Sequence, residues 1–198
     1  RKASDLSYLS NIHSFYNRHS EELAKKYSSL QFEVVHKHLL EHLPTRRARA
    51  LDIGAGAGRD SIALAKIGHE VVAVEPSIEL RKLGKEYCSC QNIEWRDDEL
   101  PSLKTFCDGT KYQIILCSAV WMHLKSEDQT RAMKRICSLG DEGALICITF
   151  RNLSNDDEVP VFEVAPDKVV EDASSCGARL VSKKQTSDWL SRPEVRWF

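Results

Sequence analysis

Three glycines at alternate positions, Gly54, Gly56 and Gly58, stand between an apolar run and a helix-like one in Ala50-Leu51-Asp52-Ile53-Gly54-Ala55-Gly56-Ala57-Gly58-Arg59-Asp60. Glycine is needed where the backbone takes unusual dihedrals or comes against a ligand with no Cβ in between. A helix N-terminus just beyond it offers free N–H groups and a partial positive charge. Such a stretch can cradle a nucleotide-type ligand, and it holds more glycine than an ordinary strand-to-helix turn requires. Glu75 closes the apolar run Val71–Val74 about 20 residues further on, the spacing at which an acid accepts hydrogen bonds from ribose hydroxyls. A solvated carboxylate at a helix start is the plain alternative, and Glu75 alone does not choose between nucleotide cofactors. The glycine spacing helps to choose: the dinucleotide fingerprint G-x-G-x-x-G would set its third glycine at position 59, where Arg59 stands, and here that glycine is Gly58.

Further polar residues follow the other apolar runs. These are Pro76-Ser77 after Glu75, Asp97-Asp98 after Trp95-Arg96, Ser118-Ala119-Val120-Trp121-Met122-His123 after Ile114–Cys117, and Arg151 after Thr149-Phe150. His123 is the best candidate for a general base, because an unperturbed imidazole titrates near neutral pH. A histidine packed beside Trp121 at a helix start fits the same residues equally well. Trp121 can wall a pocket and favour a cation over its ring, or belong to the core. Arg151 can hold an anionic substrate group, with a surface arginine as the equal alternative.

The elements that must position these residues alternate from Ala48 onward. Strands are expected near 49–53, 70–75, 92–95, 112–118, 143–150, 179–185 and from 195, and helices near 59–67, 78–88, 127–139 and 167–176. Solidly apolar strands such as Val71-Val72-Ala73-Val74 and Ile114-Ile115-Leu116 predict a mostly parallel sheet covered on both faces. In such a sheet ligands bind beyond the carboxyl ends of the strands, where all the polar residues above fall. Residues 4–43 read as helical: Leu6, Leu9, Ile12, Phe15 and Tyr16, then Phe32, Val35, His36, Leu39, Leu40 and Leu43 recur at helical spacing, with a break at Ser28-Ser29 and a stop at Pro44. Asn152–Glu158 is the most loop-like stretch. The chain is read as one domain over 1–198, a helical cap (1–44) and an α/β core (48–198). The start at Arg1 reads as trimmed, and Val195–Phe198 as a last strand cut short.

Composition narrows the function classes. Hydrophobic residues make up 42% and charged residues 29% of 198, and the net charge is −1, so nothing favours nucleic acid or an anionic membrane surface as partner. No apolar run reaches the length of a membrane span. The seven cysteines include no C-x-x-C pair, and Cys88-Ser89-Cys90 has no partner at finger spacing, so reduced thiols in a cytoplasmic protein and no metal site are expected. The histidines of the first 43 residues are spread over helix faces rather than clustered.

At this point the chain resembles the class I S-adenosylmethionine-dependent methyltransferases. Leu51-Asp52-Ile53-Gly54-Ala55-Gly56-Ala57-Gly58 is similar to their first motif, Val74-Glu75-Pro76-Ser77 to the second, and the acids Asp97-Asp98 before Leu100-Pro101 to the third. The likeness runs from about Tyr16 to the C-terminus. It implies a Rossmann-like sandwich with a mostly parallel seven-stranded sheet whose last strand is antiparallel, helices on both faces and an N-terminal helical cap. It also implies S-adenosyl-L-methionine as cofactor. Asp52 would then steady the glycine turn (Gly54, Ala55, Gly56, with Arg59 beyond) and the methionine end, Glu75 with Pro76 would hold the ribose, and Asp97, with Asp98 close behind, would meet the adenine amine. Ser118 and Trp121 would line the cofactor, and Tyr16 and Tyr27 would close over it.

Gly58-Arg59-Asp60-Ser61, Trp121-Met122-His123-Leu124 and the short helical N-terminus resemble the compact small-molecule branch, similar to tellurite-resistance-type enzymes. Where amino-methylating nucleic-acid enzymes carry Asn/Asp-Pro-Pro-Tyr/Phe, Ser118-Ala119-Val120-Trp121 stands instead, which weakens a DNA or RNA target. The resemblance thus predicts methyl transfer to a small molecule, with His123 and Arg151 as the candidate catalytic pair. A non-catalytic S-adenosylmethionine-binding module and, further off, an NAD-dependent oxidoreductase are the alternatives. The sequence fixes neither the acceptor nor the oligomeric state.

Overall fold

The computed structural model describes residues 2–89, 92–152 and 158–198, with side chains from Tyr8 onward. The side chain of Leu6, Cys90, and positions 153–157 of the expected loop lie outside the described residues. Five strands, β1 (Arg49–Ile53), β2 (Glu70–Val74), β3 (Ile93–Arg96), β4 (Tyr112–Ser118) and β5 (Gly140–Thr149), form one all-parallel sheet in the order β3-β2-β1-β4-β5. Both β1 and β2 expose their first residue and bury the other four, as the continuous apolar runs require of strands covered on two faces.

Alternate side chains of the strands go to opposite faces and feed two cores. Leu51, Ile53, Val72, Val74, Ile115 and Cys117 pack with Trp121 and with Met133 and Ile136 of α7 (Ser126–Leu139). Ala50, Val71, Ile114 and Leu116 pack with Leu64 of α5 (Arg59–Lys66), and with Phe32 and Leu39 from the short helices α3 (Phe32–Val35) and α4 (Lys37–Leu40). Each such aliphatic side chain contributes about 1.5–3 kcal/mol when fully buried, so the sheet is clamped from both sides. The remaining helices are α1 (Lys2–Arg18), α2 (Ser20–Ser28), α6 (Ile78–Tyr87) and α8 (Pro166–Ser175), with α1 and α2 packed on α6 and α8 on α7.

The expected seven-stranded sheet is not what the described residues form. The main sheet has five strands, and β6 (Thr186–Ser187) and β7 (Arg196–Trp197) make a separate two-stranded antiparallel ribbon. A strand over 179–185 needs a ladder partner, and β7 offers one only to Thr186 and Ser187, so 179–185 carries no strand and Leu180 and Val181 stay exposed. The ribbon is attached where β5 ends: Phe150 and Phe198 exchange backbone hydrogen bonds of 3.1 and 2.8 Å, and Arg151 bridges Trp197. The Asp188 carboxylate ties it further, accepting from Trp197 Nε1 (2.8 Å) and from the Arg192 guanidinium. Two smaller differences have local causes. β5 begins at Gly140 rather than near 143 because its pairing with β4 shifts register between Tyr112 and Ile114, and the N-terminal helix also breaks at His19 and His36.

Candidate active site

The strand order turns back between β1 and β4, and the crevice beyond their carboxyl ends is where an α/β sheet binds ligands. The glycine turn fills the β1 side of it. Gly54, Gly56 and Gly58 have φ of +72°, +58° and +88°, a region costly for residues with a Cβ. A Cβ at Gly54 would lie 2.2 Å from Val120 Cγ2, whereas one at Gly56 would meet nothing within 4 Å. The first glycine therefore lets the β4 loop close against the turn, and the second leaves open space above it.

Carboxylates surround this turn. Glu75, at the end of β2, is buried; its Oε2 accepts from the Gly56 N–H (2.8 Å) and its Oε1 from the Ser77 N–H (2.7 Å). Burial pushes the Glu75 carboxyl up to about 7, against the lowering effect of those two N–H donors. Asp52, buried at the end of β1, accepts from Ser61 Oγ at 2.6 Å, and burial together with the nearby charge of Asp60 raises it. Pro76 is partly exposed beside Glu75, and Ser77 caps α6 by accepting from the Leu80 N–H.

The two acids after β3 differ. Asp98 is spent on its own loop, accepting from the Glu99 N–H and from both the N–H and hydroxyl of Thr105, and those bonds outweigh burial to hold it below the usual carboxylate range. Asp97 is exposed and pairs with Arg81 Nη2 at 2.9 Å. Ser118 Oγ lies 3.2 Å from Thr149 Oγ1, and the next residue, Ala119, has φ of +60° with its N–H donated to the Thr149 carbonyl. Trp121 is fully buried in the core, and its Nε1 has no hydrogen-bond partner among the described residues. Of its two readings, pocket wall or core, the packing corresponds to core.

His123 ends the 3-10 turn Trp121–His123 and is buried. Its Nδ1 lies 2.9 Å from the Pro160 carbonyl oxygen, which can only accept, so the neutral ring carries its proton on Nδ1. The Nε2 lone pair then receives the Tyr16 hydroxyl at 2.9 Å. Tyr16 in turn packs against the cluster of Ala24, Ala57 and Leu80, next to the glycine turn. Two neighbours on α1 make similar reaches: Asn17 Oδ1 accepts from Ser77 Oγ (2.7 Å) at the end of β2, and His13 Nε2 meets Glu99 Oε2 (2.8 Å) beyond β3. One helix thus contacts the ends of β2, β3 and β4.

Tyr27 and Arg151 have other surroundings. Tyr27 and Arg59 line a cavity of about 840 Å³ with Ser118, Ala119, Thr149 and Phe150, which continues along β5 towards α8. Arg151 is buried where the ribbon meets β5 and donates from Nη1 to the Asn152 carbonyl at 3.0 Å. Sequence reasoning missed the pairing of His36 with Asp60, the contacts of His13, Tyr16 and Asn17 with Glu99, His123 and Ser77, and Trp95 wedged between Gly58 and Gly84. An Arg-Asp pair directly after a glycine turn and a histidine on an apolar helix face were the only signals for the first. Among the described residues no group of three or more His, Cys, Asp or Glu could hold a metal ion, and no helix is long and apolar enough to cross a membrane. Cys107, Cys117, Cys137, Cys147 and Cys176 are free thiols.

Residues 15–187 match a family described as "Methyltransferase domain". An "uncharacterized methyltransferase" of Staphylococcus carnosus is 30% identical over 111 residues; the match takes in 56% of this chain and 51% of that protein, so the chain spans about half the relative's length. A TehB-like SAM-dependent methyltransferase from Corynebacterium glutamicum superposes with a TM-score of 0.64 at 18% identity, covering 91% of this chain and 96% of the other. Magnesium protoporphyrin IX methyltransferase from Synechocystis PCC 6803, solved with bound SAH, gives 0.69 at 15% identity over 94% and 95%. At these identities the structural likeness establishes a Rossmann-like methyltransferase fold.

Proposed function

The chain belongs to the methyltransferase-domain family, and from that premise we propose that it moves a methyl group from S-adenosylmethionine to a small-molecule acceptor. The single observation that carries the reading is the Gly56–Glu75 constellation. A buried carboxylate at the end of β2 is held by the backbone of a glycine turn whose middle residue faces open space. These residues suit an adenosyl ligand: a carboxylate to accept from ribose hydroxyls, room where a Cβ would intrude, and an exposed acid, Asp97, for the adenine amine. Asp97 is the better of the two acids because Asp98 already closes its loop. When bound, the sulfonium supplies an activated methyl group, so the protein has only to align the acceptor, exclude water and receive a proton.

The proton falls to His123. Pro160 fixes its tautomer, and the Tyr16 hydroxyl occupies Nε2 until an acceptor O–H or N–H takes that place. Tyr16 thereby serves twice, as part of a cap laid by α1 over the strand ends and as the donor that keeps the Nε2 lone pair directed at the site. Arg151, beside the ribbon, is proposed to receive an anionic group of the acceptor. A small acceptor also suits Ser118-Ala119-Val120-Trp121 after β4 and a net charge of −1.

Thermal unfolding with S-adenosylmethionine, S-adenosylhomocysteine and NAD in turn tests the cofactor. A ligand at about a hundred times its dissociation constant adds roughly 2.7 kcal/mol, a midpoint rise of about 5–10 °C at this size. A rise with the two adenosyl-sulfur ligands supports the reading, and a rise with NAD alone overturns it. His123→Ala is expected to keep the cofactor-induced shift and lose roughly 10²–10⁴-fold in turnover. Turnover equal to the unaltered protein would remove His123 as the base.

A further inference from the structure

The charged network just past the glycine turn is more elaborate than a helix start needs. Asp60, the second residue of α5, is buried and accepts from three directions. Arg59 Nε reaches its Oδ1 at 2.6 Å, Arg59 Nη2 its Oδ2 at 3.0 Å, and His36 Nε2, from the junction of α3 and α4, lies 2.9 Å from Oδ2. The side chains of His36 and Asp60 are only 1% and 6% exposed, against 19% for Arg59. Burial alone would raise the Asp60 carboxyl, but the His36 ring and the Arg59 guanidinium hold it well below its ordinary range.

A guanidinium is a planar fork of five N–H groups. Asp60 takes the Nε–Nη2 edge, and among the described residues Nη1 has no hydrogen-bond partner. The buried side of the fork is therefore satisfied, and Arg59 is also one of the residues that line the cavity with Tyr27, Ser118 and Ala119. Two parallel N–H donors beside a helix N-terminus suit a carboxylate, which accepts in bidentate fashion. Left to itself, an arginine loses conformational freedom to meet such a ligand; pinned by Asp60 it has already lost it.

We propose that His36 and Asp60 are positioning residues for Arg59, presenting its free edge to the carboxylate of the cofactor's amino-acid end. The inference rests on the S-adenosylmethionine reading above. The cofactor, rather than the acceptor, is assigned because Arg59 directly follows Gly58 of the turn that meets it. His36 also belongs to the cavity lining, but its side chain is 1% exposed and its ring is turned to Asp60. It acts by fixing Asp60, and Asp60 by fixing the fork.

The test compares two probes by isothermal titration: S-adenosylhomocysteine, which carries the carboxylate, and 5′-methylthioadenosine, which lacks the amino-acid group. His36→Phe is expected to weaken S-adenosylhomocysteine about tenfold, the loss of one charge-assisted hydrogen bond's worth of orientation, with 5′-methylthioadenosine within about twofold of the unaltered protein. Arg59→Gln should produce the same selective loss or a larger one. His36→Gln, which keeps a donor for Asp60, should recover most of it. A parallel weakening of both probes with a lowered unfolding midpoint would make His36 merely structural and overturn the proposal. Unchanged S-adenosylhomocysteine affinity in His36→Phe and Arg59→Gln would overturn it too, and would leave the guanidinium to a carboxylate on the acceptor. Failure of the unaltered protein to bind either probe is a separate result, and sinks the cofactor reading itself.

Discussion

Glu75 carries a conflict between folding and binding. Its carboxyl, ordinarily near 4.5, sits near 7 in the folded chain because burial disfavours its charge. Between those values the folded state keeps a proton that the unfolded state has released, so stability falls as pH rises from about 4.5 to about 7 and then levels off. The contribution at stake is up to about 3 kcal/mol at roughly 1.4 kcal/mol per unit. Denaturant midpoints measured across this range should decline in the ligand-free protein, and decline less in Glu75→Ala. A slope shared by both would assign the effect to Asp52, which burial also raises. The same variant should lose about 1.5–3 kcal/mol of cofactor affinity, the size of hydrogen bonds to a charged acceptor. At this scale the sequence was informative where a residue's place follows from its distance along the chain, as for Gly54 and Glu75, which the fold sets on the same glycine turn. It could not separate Asp97 from Asp98, because the loop that Asp98 closes on Thr105 is a tertiary choice that neighbouring residues do not announce.

Between elements, Trp95 of β3 is the piece that local patterns hid. A Cβ on Gly84 of α6 would lie 2.2 Å from its ring, and one on Gly58 about 3.2 Å, so the indole is held between α6 and the glycine turn. Helix propensity favours Gly84→Ala by about 1 kcal/mol, whereas forcing a rigid ring aside costs typically 1–3 kcal/mol and pushes it against the turn. The variant should therefore be no more stable than the parent and should bind S-adenosylhomocysteine more weakly; a gain in stability with full affinity would show that the ring has room. Helix and strand spans read well from periodicity, since apolar spacing is a property of each segment. The stretch 179–185 shows the limit of that signal: the apolar pair Leu180-Val181 suits a short strand, but a strand exists only where a partner supplies the ladder.

For the whole molecule, the order β3-β2-β1-β4-β5 brings together at one edge residues that lie far apart in the chain, from Tyr16 to Pro160. The crevice was foreseeable from strand alternation, whereas the links from α1 were not, because His13, Tyr16 and Asn17 look like any amphipathic helix surface until their partners are in place. Those links are polar, and one is tunable. The hydrogen bond to Glu99 raises His13 above 6.5, against the lowering effect of burial, so its stabilising contribution is complete below that pH and fades as pH rises through the raised value. A helix fastened to three strand ends by side-chain hydrogen bonds also sets a clock. If a ligand reaches the glycine turn only when α1 lets go, the observed association rate with S-adenosylhomocysteine in stopped-flow should stop rising at high ligand concentration, levelling at the release rate of α1, on the microsecond-to-millisecond scale of such motions. His13→Ala should lift that plateau, as should raising the pH. A rate that climbs linearly throughout would mean that the ligand never waits for the helix.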